Sequence, residues 1–243
     1  MKRKLIFSLF FILTFSCMGC MQESALSDVE ITDPSVIRPE ITFVKSKEGG
    51  SITQFIYAWI NDRNNNPVEL KNGGVSINGK AMPVKNTMGL PYYSGLDAVS
   101  DIRPGYTYDI LIKLNSDKAY NASIKIQEKD LATLTLPVNQ NRFEDMNISW
   151  TEIDPNRELK LEMLNYYKAD NKETTEAFTM YIPQQNLGTG KFTIPSTYFQ
   201  STQNIYKTKV TLSSKVSGTI YEGFKSGSKI ESTLSISKTC QIY

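Results

Sequence analysis

The chain has 243 residues, 40% hydrophobic and 21% charged, which is the balance of a globular protein with length for one large domain or two ordinary ones. It contains no histidine, which excludes Ser-His-Asp and Cys-His nucleophiles, His-ligated zinc and the commonest general base near neutral pH. The formal net charge is +2, but Lys2, Arg3 and Lys4 hold three of the 27 basic residues, so the rest of the chain sets 24 basic against 25 acidic groups and has no bulk positive field for nucleic acid.

The N-terminus is a positive cluster, MKRK, followed by an apolar run from Leu5 to Ser16. Twelve residues are too few to span a bilayer, which needs about 20, so the run predicts a secretory signal over residues 1–16. It ends in cysteine rather than at a plain small-residue cleavage site. That junction resembles a bacterial lipoprotein signal, in which a small residue precedes a cysteine that is diacylated and becomes the new N-terminus. Two frames fit: TFSC puts Ser16 before Cys17, and CMGC puts Gly19 before Cys20. The second frame places Cys17 where the family usually has an aliphatic residue, which favours Cys17 as the lipid attachment and keeps Cys20 as the alternative. The resemblance implies anchoring by lipid at the cell envelope, as an outer-membrane lipoprotein facing either the surface or the periplasm. Two acyl chains hold a protein firmly to a membrane, whereas one binds marginally.

Residues 17–40 read as a tether, polar, acid-leaning and broken by Pro34 and Pro39. Strand patterns then follow one another. QFIYAWIN alternates Phe55, Tyr57 and Trp59, and VSINGKAMPV places Asn78-Gly79 between two short strands, a type I′ turn signal. YTYDILIKL puts Tyr106, Tyr108, Ile110, Ile112 and Leu114 on one face, and YNASIKIQ repeats the period of two after the hairpin signal NSDKA. TLPVNQNR interrupts the rhythm at Pro137 and marks a boundary between residues 41–137 and 138–243. Beyond it MNISW, ELKLEML, AFTMYI, YKTKVTL and IESTLSI restart the alternation, and STYFQST fits one helical turn. Six or seven short strands per hundred residues predict an all-β chain of two consecutive antiparallel β-sandwiches.

The second half resembles a fibronectin type III domain through ISW and IYKTKVTL, which implies that Trp150 packs against Tyr206. The first half resembles the immunoglobulin-like modules of Bacteroidetes lipoproteins through VSINGKAM and IRPGYTYDILIKL. Both likenesses imply a fold and no activity.

Motifs that carry chemistry are incomplete. DRNNN, Asp62 to Asn66, alternates oxygen ligands but has Pro67 and Gly73 where a calcium loop needs Gly and Glu. GTGK at 188–191 has Gln185 and Phe192 where a phosphate loop needs Gly and Ser/Thr. SGSK at 226–229 and SISK at 235–238 lack the companion motifs of serine-lysine enzymes. Glu144 with Asp145 and Glu152 with Asp154 are carboxylate clusters with no sequence sign of facing one sugar. Cys240 is either a partner for Cys20 or a buried, inert thiol. No catalytic, cofactor or metal residue is predicted. The candidate partner-binding loop is GLPYYSGLDAVSDIRPGY, through Tyr92, Tyr93, Asp97, Asp101 and Arg103. The expected function is non-enzymatic binding of a glycan or protein; a structural role in an outer-membrane or fimbria-like assembly is the alternative, and hydrolysis by a carboxylate pair the third reading.

Overall fold

A computed structural model of the chain describes residues 23–129, 133–151, 158–169, 172–200 and 204–243. The signal segment 1–16, Cys17, Cys20, Glu152 and Asp154 lie outside the described residues. The first half supplies β1 (Arg38–Glu48), β2 (Ser51–Asn61), β3 (Gly74–Ile77), β4 (Lys80–Ala81), β5 (Val84–Thr87), β6 (Leu90–Ser94), β7 (Thr107–Lys113), β8 (Ala119–Lys125) and β9 (Thr133–Thr135). The second half supplies β10 (Asn139–Gln140), β11 (Met146–Thr151), β12 (Leu159–Ala169), β13 (Lys172–Tyr181), the short helix α1 (Gln184–Leu187), β14 (Lys191–Ile194), β15 (Ile205–Ser217), β16 (Thr219–Ile220) and β17 (Lys229–Ile242). The chain is all-β and sandwich-like.

Period-two alternation explains why these segments are strands and which side faces inward. On β7, Tyr108, Ile110 and Ile112 are buried while Thr107, Asp109 and Lys113 are exposed. Met146, Ile148 and Trp150 do the same on β11, and Ile230, Leu234 and Ile236 on β17. Asn78 (φ +50°) and Gly79 (φ +78°) form the left-handed corner of the β3–β4 hairpin, with Ile77 opposite Lys80. Ser196–Tyr198 is a single 3₁₀ turn, where the sequence predicts one helical turn.

A nine-stranded sheet runs β13-β12-β15-β17-β1-β2-β6-β5, with β10 also paired to β17. It crosses position 137 without a break, because β1 of the first half pairs with β17 of the second over nine register positions, from Glu40–Lys229 to Glu48–Ser237. That ladder and β10–β17 are parallel; the other strand pairs are antiparallel. A purely antiparallel arrangement is therefore corrected to a mixed sheet at this seam. Two smaller sheets, β16-β8-β7-β3-β4 and β14-β11-β9, supply the facing layers. Phe43 of β1 meets Tyr108 of β7 at 5.2 Å between ring centroids, and the buried residues of both halves form one connected hydrophobic cluster.

Gly218 turns the corner by which β15 leaves the large sheet and β16 joins the first small one. A Cβ there would sit 2.2 Å from the carbonyl oxygen of Ser123, so a side chain would push the two sheets apart.

The described part of the expected tether is docked on the first half. Ile31 and Ile37 are buried, Asn115 Nδ2 donates to the Ile31 carbonyl at 3.1 Å, and the Ser24 N–H donates to the Pro67 carbonyl at 2.9 Å. Polar composition hides this, because two isoleucines six residues apart give no periodic signal.

The shared strand makes a specific prediction. Trp59 and Trp150, the chain's two tryptophans, report the first and second halves separately. Urea unfolding followed by fluorescence in Trp150→Phe and in Trp59→Phe is expected to give coincident midpoints. Leu234→Ala, which empties a buried position on β17, is expected to cost about 2–5 kcal/mol and to move both midpoints down together.

Candidate binding surface

Strand β2 places its apolar residues on both faces. Ile56, Ala58 and Ile60 point into the core, 2% exposed or less, so the pleat drives Phe55, Tyr57 and Trp59 to the outer side of the large sheet. Such a two-sided apolar strand is normally covered on both faces. Here the outer face carries no second layer among the described residues: Phe55 is 50% exposed and Leu96 38%.

Register brings further side chains to this strip. Tyr57 lies opposite Thr42 on β1 and Ser94 on β6, and Trp59 opposite Glu40. The Tyr92 ring lies 5.4 Å from that of Trp59, tilted by 32°, and Lys85 of β5 pairs across from Tyr92. Together they bound a shallow groove of about 490 Å³ lined by Phe55, Tyr57, Trp59, Tyr92, Leu96, Lys85 and Thr87. Lys85 Nζ meets Asp97 Oδ2 at 3.1 Å, an exposed pair that fixes side chains more than it adds stability.

Gly95 is the hinge of this arrangement. Its N–H donates to the Ile56 carbonyl at 2.7 Å, and a Cβ would come within 2.4 Å of Ile56 Cγ2. Only the bare backbone lets the chain leave β6 so close to β2, deliver Leu96 to the groove and bring Asp97 to Lys85.

The five residues of the predicted loop go to three places. Tyr92 lines the groove, and Asp97, outside its lining, pairs with the groove residue Lys85. Tyr93, the next residue along the pleat, points the other way and is 2% exposed. Its hydroxyl accepts the Leu70 N–H at 2.8 Å, and burial pushes its pKa up to about 12. Asp101 pairs with Lys45 Nζ at 3.7 Å, and its carbonyl accepts the Tyr108 hydroxyl. Arg103 is exposed, and its N–H donates to the same Tyr108 oxygen at 3.0 Å. Phe55, Tyr57 and Trp59 belong to the surface although the sequence gives them only as one strand face; the uninterrupted run FIYAWI was the available signal.

The outer face continues away from the aromatics as a polar field. Glu40 bridges Arg38 at 2.7 Å and Lys229 at 3.8 Å, and Glu231 bridges Lys215 at 2.5 Å and Lys229 at 3.4 Å. Burial would raise the Glu231 carboxyl, but its hydrogen bond and attraction to Lys215, with help from Lys229, hold it below the usual range. Ser46 and Ser235 share a hydrogen bond of 2.7 Å, as do Thr211 and Ser237 at 2.8 Å.

Other candidate residues have structural partners. Burial raises Asp62, yet Ser24, Asn66 and Asn64 donate enough hydrogen bonds to leave its carboxyl below the usual range, so its oxygens tie a turn together. Glu144 accepts from Asn141, and Asp145 accepts the Ser196 N–H. Tyr206 gives its hydroxyl to Glu173 on the exposed surface, and the Lys207 ammonium sits 5.5 Å from its ring, in place of the packing against Trp150 that the fibronectin likeness implies. The β12–β15 register shifts at Tyr166/Tyr167 and skips Tyr206, which frees that ring from the inward alternation. Cys240 is 1% exposed and burial pushes its thiol up to about 11, which leaves it protonated and unreactive at neutral pH. Among the described residues no helix is long and apolar enough to cross a membrane, and no three His, Cys, Asp or Glu converge as metal ligands.

Tyr93 predicts alkaline behaviour. Its folded pKa lies above the unfolded value near 10, so its contribution is fully present below pH 10 and is lost as pH rises through about 12. Denaturation midpoints measured from pH 8 to 12 are expected to fall over that window, and less so in Tyr93→Phe. Gly95→Ala is expected to cost about 1–3 kcal/mol by overpacking against Ile56 and to quench less of the Trp59 emission on ligand addition.

In comparison with known proteins, the chain matches no family model and no curated protein sequence.

Proposed function

We propose that this chain is a lipid-anchored cell-envelope protein that binds a glycan or protein partner without catalysing a reaction. The observation that carries the reading is the aromatic groove of exposed Phe55 and half-buried Tyr57, Trp59 and Tyr92, held on rigid strands over a packed core. Aromatic rings with polar edges give large contact area at low entropic cost, and they are the side chains binding surfaces favour. The anchor is supported by the run from Lys2 to Cys17 and its likeness to a lipoprotein signal. The lack of histidine and the incomplete motifs support a role outside catalysis. Within this reading the two halves are immunoglobulin-like sandwiches, the second of fibronectin type III kind, fused through β17, and the protein sits in the outer membrane.

A second reading rests on β13. Among the described residues this ten-residue strand pairs with β12 on one side only, and Lys172–Ala177 are exposed on both faces. An open edge of that length is a template for strand addition, which fits a subunit of an envelope or fimbria-like assembly.

Two measurements test these readings. Retention of the chain on immobilised envelope polysaccharide and envelope protein from the producing cells is expected to fall at least tenfold in Trp59→Ala; equal retention removes the groove from the function. Metabolic labelling with palmitate is expected to mark the wild type and Cys20→Ser and to miss Cys17→Ser; label lost only in Cys20→Ser moves the anchor to the second frame. A sedimentation coefficient that rises with concentration would favour the assembly reading.

A further inference from the structure

We infer that the aromatic groove takes a neutral, extended oligosaccharide laid along β2. The inference rests on the binding reading above and narrows its partner to one chemical class.

Three features of the groove select that class. The first is geometry. Phe55, Tyr57 and Trp59 alternate along one strand, so their rings follow one another at about 7 Å and the row runs for about 14 Å. Tyr92 widens the row beside Trp59. A row of this length offers successive platforms to a chain of flat rings, and a single monosaccharide would cover only one of them. A pyranose presents a face of C–H groups to such a platform and keeps its hydroxyls at the rim.

The second is hydrogen bonding. The hydroxyls of Tyr57 and Tyr92 and the indole N–H of Trp59 make no hydrogen bond to the described residues. These groups stand at the edges of the rings, where the rim hydroxyls of a stacked sugar would lie. A lipid chain would leave them unmet, and an apolar protein face would bury them at a penalty.

The third is charge. Lys85 is the one ionised residue lining the groove among the described residues, and Asp97 already pairs with it at 3.1 Å. Glu40, next to Trp59 across the ladder, is held between Arg38 and Lys229. The surface beside the rings is therefore internally neutralised. An acidic sugar would lose water without gaining a free cation, so an uncharged chain is the better fit.

The experiment is fluorescence titration of the full chain with soluble neutral oligosaccharides of one to six glucose, mannose, galactose or N-acetylglucosamine units, beside oligogalacturonates of the same lengths. Expected is a saturable change in emission for at least one neutral series. Its affinity should rise tenfold or more from monosaccharide to hexasaccharide and stay within twofold between 50 and 500 mM NaCl. Trp59→Phe should abolish the signal change, and Tyr92→Ala should weaken binding at least fivefold in calorimetry while the chain still unfolds in one cooperative transition. Oligogalacturonate binding as tightly as the neutral chains, a steep salt dependence, or no binding of any neutral series would overturn the inference. The last outcome is separable from failure of the binding reading itself. If envelope protein is still retained through Trp59, the groove binds a protein and only the sugar is wrong; if retention ignores Trp59 as well, both fall.

Discussion

Strand β17 lies at the centre of the large sheet, hydrogen-bonded along both edges. On one side β15 accompanies it from Lys207–Gln241 to Ser217–Glu231. On the other, β1 takes its first nine paired residues and β10 its last two. Each half therefore completes its main sheet only by using the same strand, and the inward row Ile230, Leu234, Ile236, Cys240 and Ile242 passes from beneath one half to beneath the other. The outer face inherits this continuity: the aromatic groove at one end and the Ser/Thr and Lys/Glu field toward the other are one rigid surface, since β2, β1, β17 and β15 are consecutive strands.

Rigidity matters for a site made of rings on strands. Phe55, Tyr57 and Trp59 are held at fixed spacing because Ile56, Ala58 and Ile60 between them are locked in the core. A groove built this way loses little conformational entropy on binding, whereas a loop of the same composition would have to be ordered first. The Lys85–Asp97 pair and the Gly95 corner act in the same direction, by fixing the rim where the chain departs from β6.

Much of the fold was legible because alternation is a local property. Tyr108, Ile110, Ile112 and Leu114 are buried as the period of two requires, while Tyr106, just before β7 begins, is 47% exposed, and the Asn78-Gly79 corner has the backbone angles its residues favour. What escaped is non-local or ambiguous in parity. The β1–β17 ladder joins Ser46 to Ser235, 189 residues apart, and no turn or spacing announces a parallel pair at that distance. FIYAWI is apolar at every position, so the pattern alone gives no reason to send the aromatics outward. Tyr92 and Tyr93 look alike in a loop, yet on a strand consecutive residues must part, one to the groove and one to the core. Tyr206 left its expected place through a single register shift. Cys17 and Cys20, the proposed lipid-attachment cysteines, had the plainest sequence signal and lie outside the described residues.

The parallel seam also sets an order of events for a chain made from its N-terminus. While the ribosome is still adding residues, β1 has β2 on one edge and lacks β17 on the other, and it must wait about 190 residues for that partner. Pairings of such sequence separation are slow to form because a very long loop has to close first. The nascent first half thus has an unfinished sheet edge until Lys229–Ile242 emerge, and its collapse into the native layers is coupled to the synthesis of β17. A chain with this topology stays threadable for longer than one built from two self-sufficient sandwiches.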